Sequence, residues 1–187
     1  MFLSFVIVRV QVLLLFEPDG RCLSYEQRGN PLFTDHASFD RSRALLAEAF
    51  NNQGVYWQEL GERDSAIRVL KSAINILQMT PNRNVLTSVY INLADCHLQK
   101  GDYPQCGFYY RKALLVADSL ALGYRDHFAI YSGLAKLYLE LENFPEANEY
   151  FVKAEQIGNS CTPYERYFFS NTRGNYYYNL KSATYRV

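Results

Sequence analysis

Charge of one sign is what this chain most conspicuously lacks. Its 187 residues carry 19 Lys and Arg against 19 Asp and Glu, with a pI near 6.8. A nucleic-acid binder of this size carries a basic surplus for the phosphates, so that class of partner is not expected. Cysteine is sparse as well. Cys22, Cys96, Cys106 and Cys161 contain no C-x-x-C pair, so no zinc site is expected. A disulfide framework is unnecessary at this length, which points to a reducing, cytoplasmic setting. Only three histidines occur, His36, His97 and His127. No G-x-S-x-G, P-loop, H-E-x-x-H or G-x-G-x-x-G pattern is present, so the reading is of a non-enzyme with no cofactor, no metal and no catalytic residue. No apolar run reaches the roughly 20 residues of a membrane span. The longest, Met1 to Phe16, is interrupted by Arg9.

What the chain does have is a recurring pattern. Phe50-x-x-Gln53-Gly54-x-x-Trp57 returns as Tyr90-x-x-Leu93-Ala94-x-x-His97 and as Tyr131-x-x-Leu134-Ala135-x-x-Tyr138. A weaker copy reads Ser170-x-x-Arg173-Gly174-x-x-Tyr177. A small–bulky–small triplet follows each full copy: Ala66, Leu70, Ala73; Cys106, Tyr110, Ala113; Ala147, Phe151, Ala154. The small residue of each triplet's start follows the central small residue by the same interval every time. Equal spacing demands equal geometry, and a unit of this length is one helical hairpin. A lone hairpin cannot bury its apolar face, so the units must stack. Small residues mark close helix approaches and aromatics fill the remaining space. In this scheme Cys106 is a small apolar filler, and His97, standing where Trp57 and Tyr138 stand, is a packing residue.

The hairpin turns fall at one phase: Gly61-Glu62-Arg63-Asp64, Gly101-Asp102-Tyr103-Pro104 and Glu142-Asn143-Phe144-Pro145. Gly61 and Gly101 suit a left-handed helix end, and Pro104 and Pro145 suit a helix's first turn. Glu142 in place of glycine is the weaker stop signal. The expected core holds Leu46, Phe50, Trp57, Leu70, Tyr90, Leu93, Leu114, Tyr131, Leu134, Tyr138, Phe151 and Tyr177.

These motifs resemble the tetratricopeptide repeat, W-x-x-L-G-x-x-Y followed by A-x-x-x-F and A, over about residues 47–181. The spacing here exceeds the usual period of about 34, and Pro81 is the one well-placed closing proline. The resemblance implies an all-α, right-handed superhelical stack of helical hairpins. Its repeats are expected at 47–86, 87–127 and 128–166, with a partial one at 167–187, in a domain spanning 38–187. It also implies a non-catalytic scaffold that binds a protein or peptide partner in its concave groove. The alternative is a sensory or regulatory module of a larger bacterial signalling protein, such as a diguanylate cyclase or a peptide-responsive regulator, separated from its output domain.

In such stacks the first helix of each hairpin lines the groove. The resemblance places Asn51, Val55, Gln58, Ile91, Asp95, Gln99, Ser132, Lys136, Asn171 and Asn175 there. Asn51, Asn171 and Asn175 are the residues expected to grip peptide backbone, since a side-chain amide both donates and accepts. The pairs Asn51/Val55, Ile91/Asp95 and Ser132/Lys136 do not match the Lys and Asn that clamp chaperone tails in the family.

The two ends remain open. Residues 4–16 and 21–27 read as a β-hairpin, because Val6, Ile7, Val8, Val10 and Val12 favour strand and Glu17-Pro18-Asp19-Gly20 is a turn. A hydrophobic helix or uncleaved export signal is the other reading. Residues 28–37 read as a linker. The last helix, from about Pro163 to Leu180, is rich in Tyr and Phe. It is either a cap, or the end of a fragment of a longer stack, or a homodimer surface.

Overall fold

The computed structural model describes residues 36–78, 84–158 and 169–174. All the regular structure in these residues is helical. In chain order the helices are α1 (His36–Glu59), α2 (Arg63–Leu77), α3 (Asn84–Gln99), α4 (Tyr103–Ser119), α5 (Tyr124–Glu140) and α6 (Phe144–Gly158). A short helical segment, α7, covers 169–174. The expected all-α stack of hairpins is what folds: α1 packs on α2, α3 on α4 and α5 on α6.

The second helices show why the spacing repeats. Each buries the same stripe: Ala66, Leu70, Ala73 and Leu77 in α2; Cys106, Tyr110, Ala113 and Ala117 in α4; Ala147, Phe151, Ala154 and Gly158 in α6. That is the i, i+4, i+7, i+11 face of an amphipathic helix. Across from it lie the central small residues, and Gly54, Ala94 and Ala135 are all buried. A Cβ on Gly54 would stand 2.6 Å from the Leu70 side chain, so the glycine is what lets α1 and α2 close.

The three hairpin turns are identical. The N–H of Gly61, Gly101 and Glu142 each reaches the carbonyl three residues back (Gln58, Leu98, Leu139) at 3.0 Å. The next N–H, of Glu62, Asp102 and Asn143, reaches the carbonyl five back (Trp57, His97, Tyr138) at 2.9 Å. This double closure is the Schellman motif, which needs a left-handed residue at its penultimate position. Gly61 (φ 78°), Gly101 (φ 73°) and Glu142 (φ 54°) occupy it. The following residue then opens the next helix: Glu62, Asp102 and Asn143 accept through their carbonyls from Ala66, Cys106 and Ala147, each at 3.0 Å. The small residue is thus the first whose N–H enters the second helix's bonding, so the turn itself fixes its phase.

The core is shared between neighbours rather than enclosed in each hairpin. Leu46, Leu70 and Leu77 of the first hairpin pack with Val89, Leu93 and Cys96 of α3. Ala94 and Leu98, on the other side of α3, join Tyr110 and Ala113 of α4 together with Ile130, Leu134 and Leu137 of α5. Phe128 and Ala135 of α5 join Phe151 and Ala154 of α6 with Phe169 of α7. Of the expected core, Leu46, Leu70, Leu93, Leu134 and Phe151 are buried. Phe50, Trp57, Tyr90, Leu114, Tyr131 and Tyr138 are half-buried and pack on its edges.

Three expectations need adjustment. The linker read over 28–37 ends earlier, since His36 and Ala37 are already helical. Arg63, read as a turn residue, opens α2 instead, because the Schellman turn and N-cap need only the three residues Leu60, Gly61 and Glu62 outside the helices. Gly174 does not mark a close approach: it is exposed, and a Cβ there would meet open space. The terminal β-hairpin or hydrophobic segment, Pro81, and Asn175 and Tyr177 lie outside the described residues.

Candidate binding groove

First helices touch each other from repeat to repeat, α1 on α3 and α3 on α5, whereas no second helix packs comparably on another. One face of the stack is therefore built from α1, α3 and α5 alone. Along it Val55, Ile91, Asp95, Ser132 and Lys136 are each half-buried, as are Gln58, Ser88, Ala129 and Leu139. Gln99 is exposed at the turn end, and Asn171 is exposed on α7.

Two of the predicted groove residues are engaged in holding the repeats together. Asn51 is buried, and its Oδ1 accepts a hydrogen bond of 2.9 Å from Nδ2 of Asn92, which fixes α1 to α3. Gln99 accepts from Nε of Arg63 at 3.3 Å, and Lys100 donates to Asp64 beside it. Asn92 escaped sequence reasoning because it sits one position off the groove register. Its partnership depends on how far one hairpin is rotated against the next.

Asp95 carries the electrostatics of the middle of this face. Its Oδ1 accepts from the phenol of Tyr110 at 2.5 Å. Burial pushes the Asp95 carboxyl above its usual range, opposed by the Tyr110 hydrogen bond and by Lys136. The Tyr110 phenol is driven well above its ordinary value by burial and by Asp95. Lys136 holds on α5 the register position that Asp95 holds on α3, one residue past the small one. The hydroxyl of Ser132, one helical turn before Lys136, is buried without a protein hydrogen-bond partner.

The groups with catalytic chemistry are otherwise occupied. The Nδ1 of His97 lies 3.0 Å from Oδ2 of Asp102. A carboxylate can only accept, so Nδ1 bears the proton. The other Asp102 oxygen caps α4 by accepting from the Gln105 N–H. The His97 ring stacks on Tyr109 with centroids 5.4 Å apart, and its Nε2 is buried without a partner. This histidine–carboxylate pair holds the α3–α4 turn. Cys96 and Cys106 are buried free thiols, each pushed up to about 12, first by burial and then by Asp95. Thiols so raised stay protonated near neutral pH. Among the described residues no cluster of three His, Cys, Asp or Glu could hold a metal, and no helix is long and apolar enough to cross a membrane. An open cleft of about 450 Å³ lies between α4 and α5, lined by Tyr103, Pro104, Gly107, Arg111, Leu137, Tyr138 and Leu141. It includes neither His97 nor Asp102.

Comparison with known families shows what part of this stack is similar to. Residues 85–160 match the model described as tetratricopeptide repeat. Over these residues the chain is similar to tetratricopeptide repeats. The matched stretch takes in α3 to α6, the two hairpins whose cores interlock through α5. The α1–α2 hairpin, outside the match, reproduces the same Schellman turn and the same buried stripe. No curated protein matches the chain's sequence. Tetratricopeptide repeats are generally protein-interaction scaffolds.

Proposed function

We propose that this chain is a non-catalytic scaffold that binds a peptide segment of a partner protein along the face formed by α1, α3 and α5. The observation that carries this reading is the row of half-buried side chains at equal register on three successive first helices. Half-burial leaves each side chain partly packed and partly open to solvent, so some of the ordering cost of binding is met in advance. Val55, Ile91 and Leu139 offer apolar area and Lys136 a cation. Asp95, tied to Tyr110, sets the floor rather than the rim.

The test begins with peptides selected from a random displayed library against the full chain. Their affinity is then measured for the wild type, Ile91→Arg, Lys136→Glu and, on the exposed face of α4, Lys112→Glu. Both groove substitutions should weaken binding by about tenfold or more, as central interface residues do, with Lys112→Glu unchanged. Peptides that bind all four proteins equally would contradict the reading.

A further inference from the structure

We propose that the cleft between α4 and α5 binds a small carboxylate with an aromatic or aliphatic body, the carboxylate meeting Arg111 and the body lying against Tyr103, Leu137 and Tyr138. The cleft holds about 450 Å³, within the range of small-ligand sites. The repeat register explains why it is there. Counting by repeat, Gly107 on α4 corresponds to Ile67 on α2 and Asn148 on α6. In the first hairpin Ile67 packs against the shared core. Gly107 brings no side chain to the same position, and it lines the cleft. Leu137 takes part of that space, since a Cβ on Gly107 would stand 3.3 Å from its Cδ2. Leu137 is 4% exposed and Leu141, also in the lining, is 47% exposed, which gives the cleft a covered floor and an open mouth. Tyr138 forms a stiff wall, because its ring stacks on that of Tyr150 with centroids 5.5 Å apart and planes 7° from parallel.

Charge decides the occupant. Among the described residues Arg111 is the one charged side chain in the lining, so no carboxylate of the chain meets it there. It has no hydrogen-bond or ion-pair partner among those residues either. Its guanidinium turns back over Gly107, with Nη1 3.3 Å from where a Cβ would stand. The missing side chain therefore both opens the cleft and seats the cation beside its apolar walls. A guanidinium offers a carboxylate two parallel N–H donors, and apolar walls strengthen the attraction by excluding water. A peptide backbone is a poorer occupant, since each residue brings an N–H and a C=O that need partners. Beyond Arg111 the lining side chains offer only the phenols of Tyr103 and Tyr138. The cleft shares no lining residue with the peptide face proposed above, so the two sites are tested separately.

The test titrates the full chain with 3-phenylpropionate and with octanoate, read from the amide NMR shifts of Gly107 and Leu137. Saturable binding at about 1 mM or tighter is expected for ligands of this size. The neutral 3-phenylpropionamide should bind the wild type about tenfold or more weakly than the acid, and Arg111→Gln should weaken the acid by as much, since each removes a charged hydrogen bond. Arg111 is exposed, so its replacement leaves the fold intact. Gly107→Val should abolish binding by filling the cleft, with melting curves confirming that both variants are folded. Lys136→Glu, on the peptide face, should leave the acid's affinity unchanged. Failure of both acids to saturate, equal binding of acid and amide, or an affinity untouched by Arg111→Gln would overturn the proposal. So would displacement of the acid by a library-selected peptide, which would assign the cleft to the peptide.

Discussion

Glu142 sits in backbone that glycine holds in the other two repeats. Its φ of 54° forces a Cβ toward the neighbouring carbonyl, at a cost of about 1–2 kcal/mol. Glu142→Gly should therefore raise stability by about 1 kcal/mol, or a few degrees in melting temperature for a chain of this size. Thermal melting checks this, and Gly101→Glu should move the other way. Gly133 makes the opposite demand. A Cβ there would lie 2.3 Å from the ring of Tyr110, which reaches across from the preceding hairpin to bond Asp95. Gly133→Ala should destabilise by about 1–3 kcal/mol through overpacking, read from urea unfolding. Gly54 was legible from sequence because its partner Leu70 lies in the same repeat at a fixed interval. Gly133 was not, because its partner lies in the preceding hairpin and no intra-repeat spacing encodes that meeting.

At the scale of elements, the hairpin turns were readable and the connections between hairpins were not. The α4–α5 link closes with its own Schellman pair, Leu122 N–H to the Ala117 carbonyl at 2.9 Å and Ala121 N–H to Asp118 at 3.2 Å. Ala121 takes the left-handed position at φ 47°, where no glycine announced it. His127 then ties this link to α5: its Nε2 lies 2.9 Å from Asp118 Oδ1 and its Nδ1 3.3 Å from the Gly123 carbonyl. The Asp118 hydrogen bond raises its pKa above 6.5, with the Gly123 carbonyl adding to the rise and partial burial opposing it. A raised folded-state pKa means that the protonated ring stabilises. That contribution is fully present below pH 6.5 and is lost as pH rises through the folded value. The melting-temperature gap between the wild type and His127→Ala should accordingly be wider near pH 5.5 than near pH 8.5. NMR titration of the ring should give a midpoint above 6.5.

For the whole molecule, stability is a property of interfaces between repeats. Leu93, wholly buried, lies in the core that α3 shares with the first hairpin. Leu93→Ala should cost about 2–5 kcal/mol and uncouple the first hairpin from the second, so that hydrogen exchange rises in α1 and α2 as well as in α3. The stack was legible because each repeat restates its own phase. Less legible were the contacts between hairpins: the sequence did not announce the engagement of Asn51 with Asn92 or of Gln99 with Arg63, which depends on the rotation between hairpins. Binding along the first helices is the claim on which the functional reading rests. The most direct measurement is NMR mapping of the full chain with a library-selected peptide. Shifts concentrated at Val55, Ile91, Ser132 and Lys136 are predicted, whereas shifts confined to the cleft of Tyr103, Arg111 and Leu141, or to the exposed faces of α2, α4 and α6, would contradict the account.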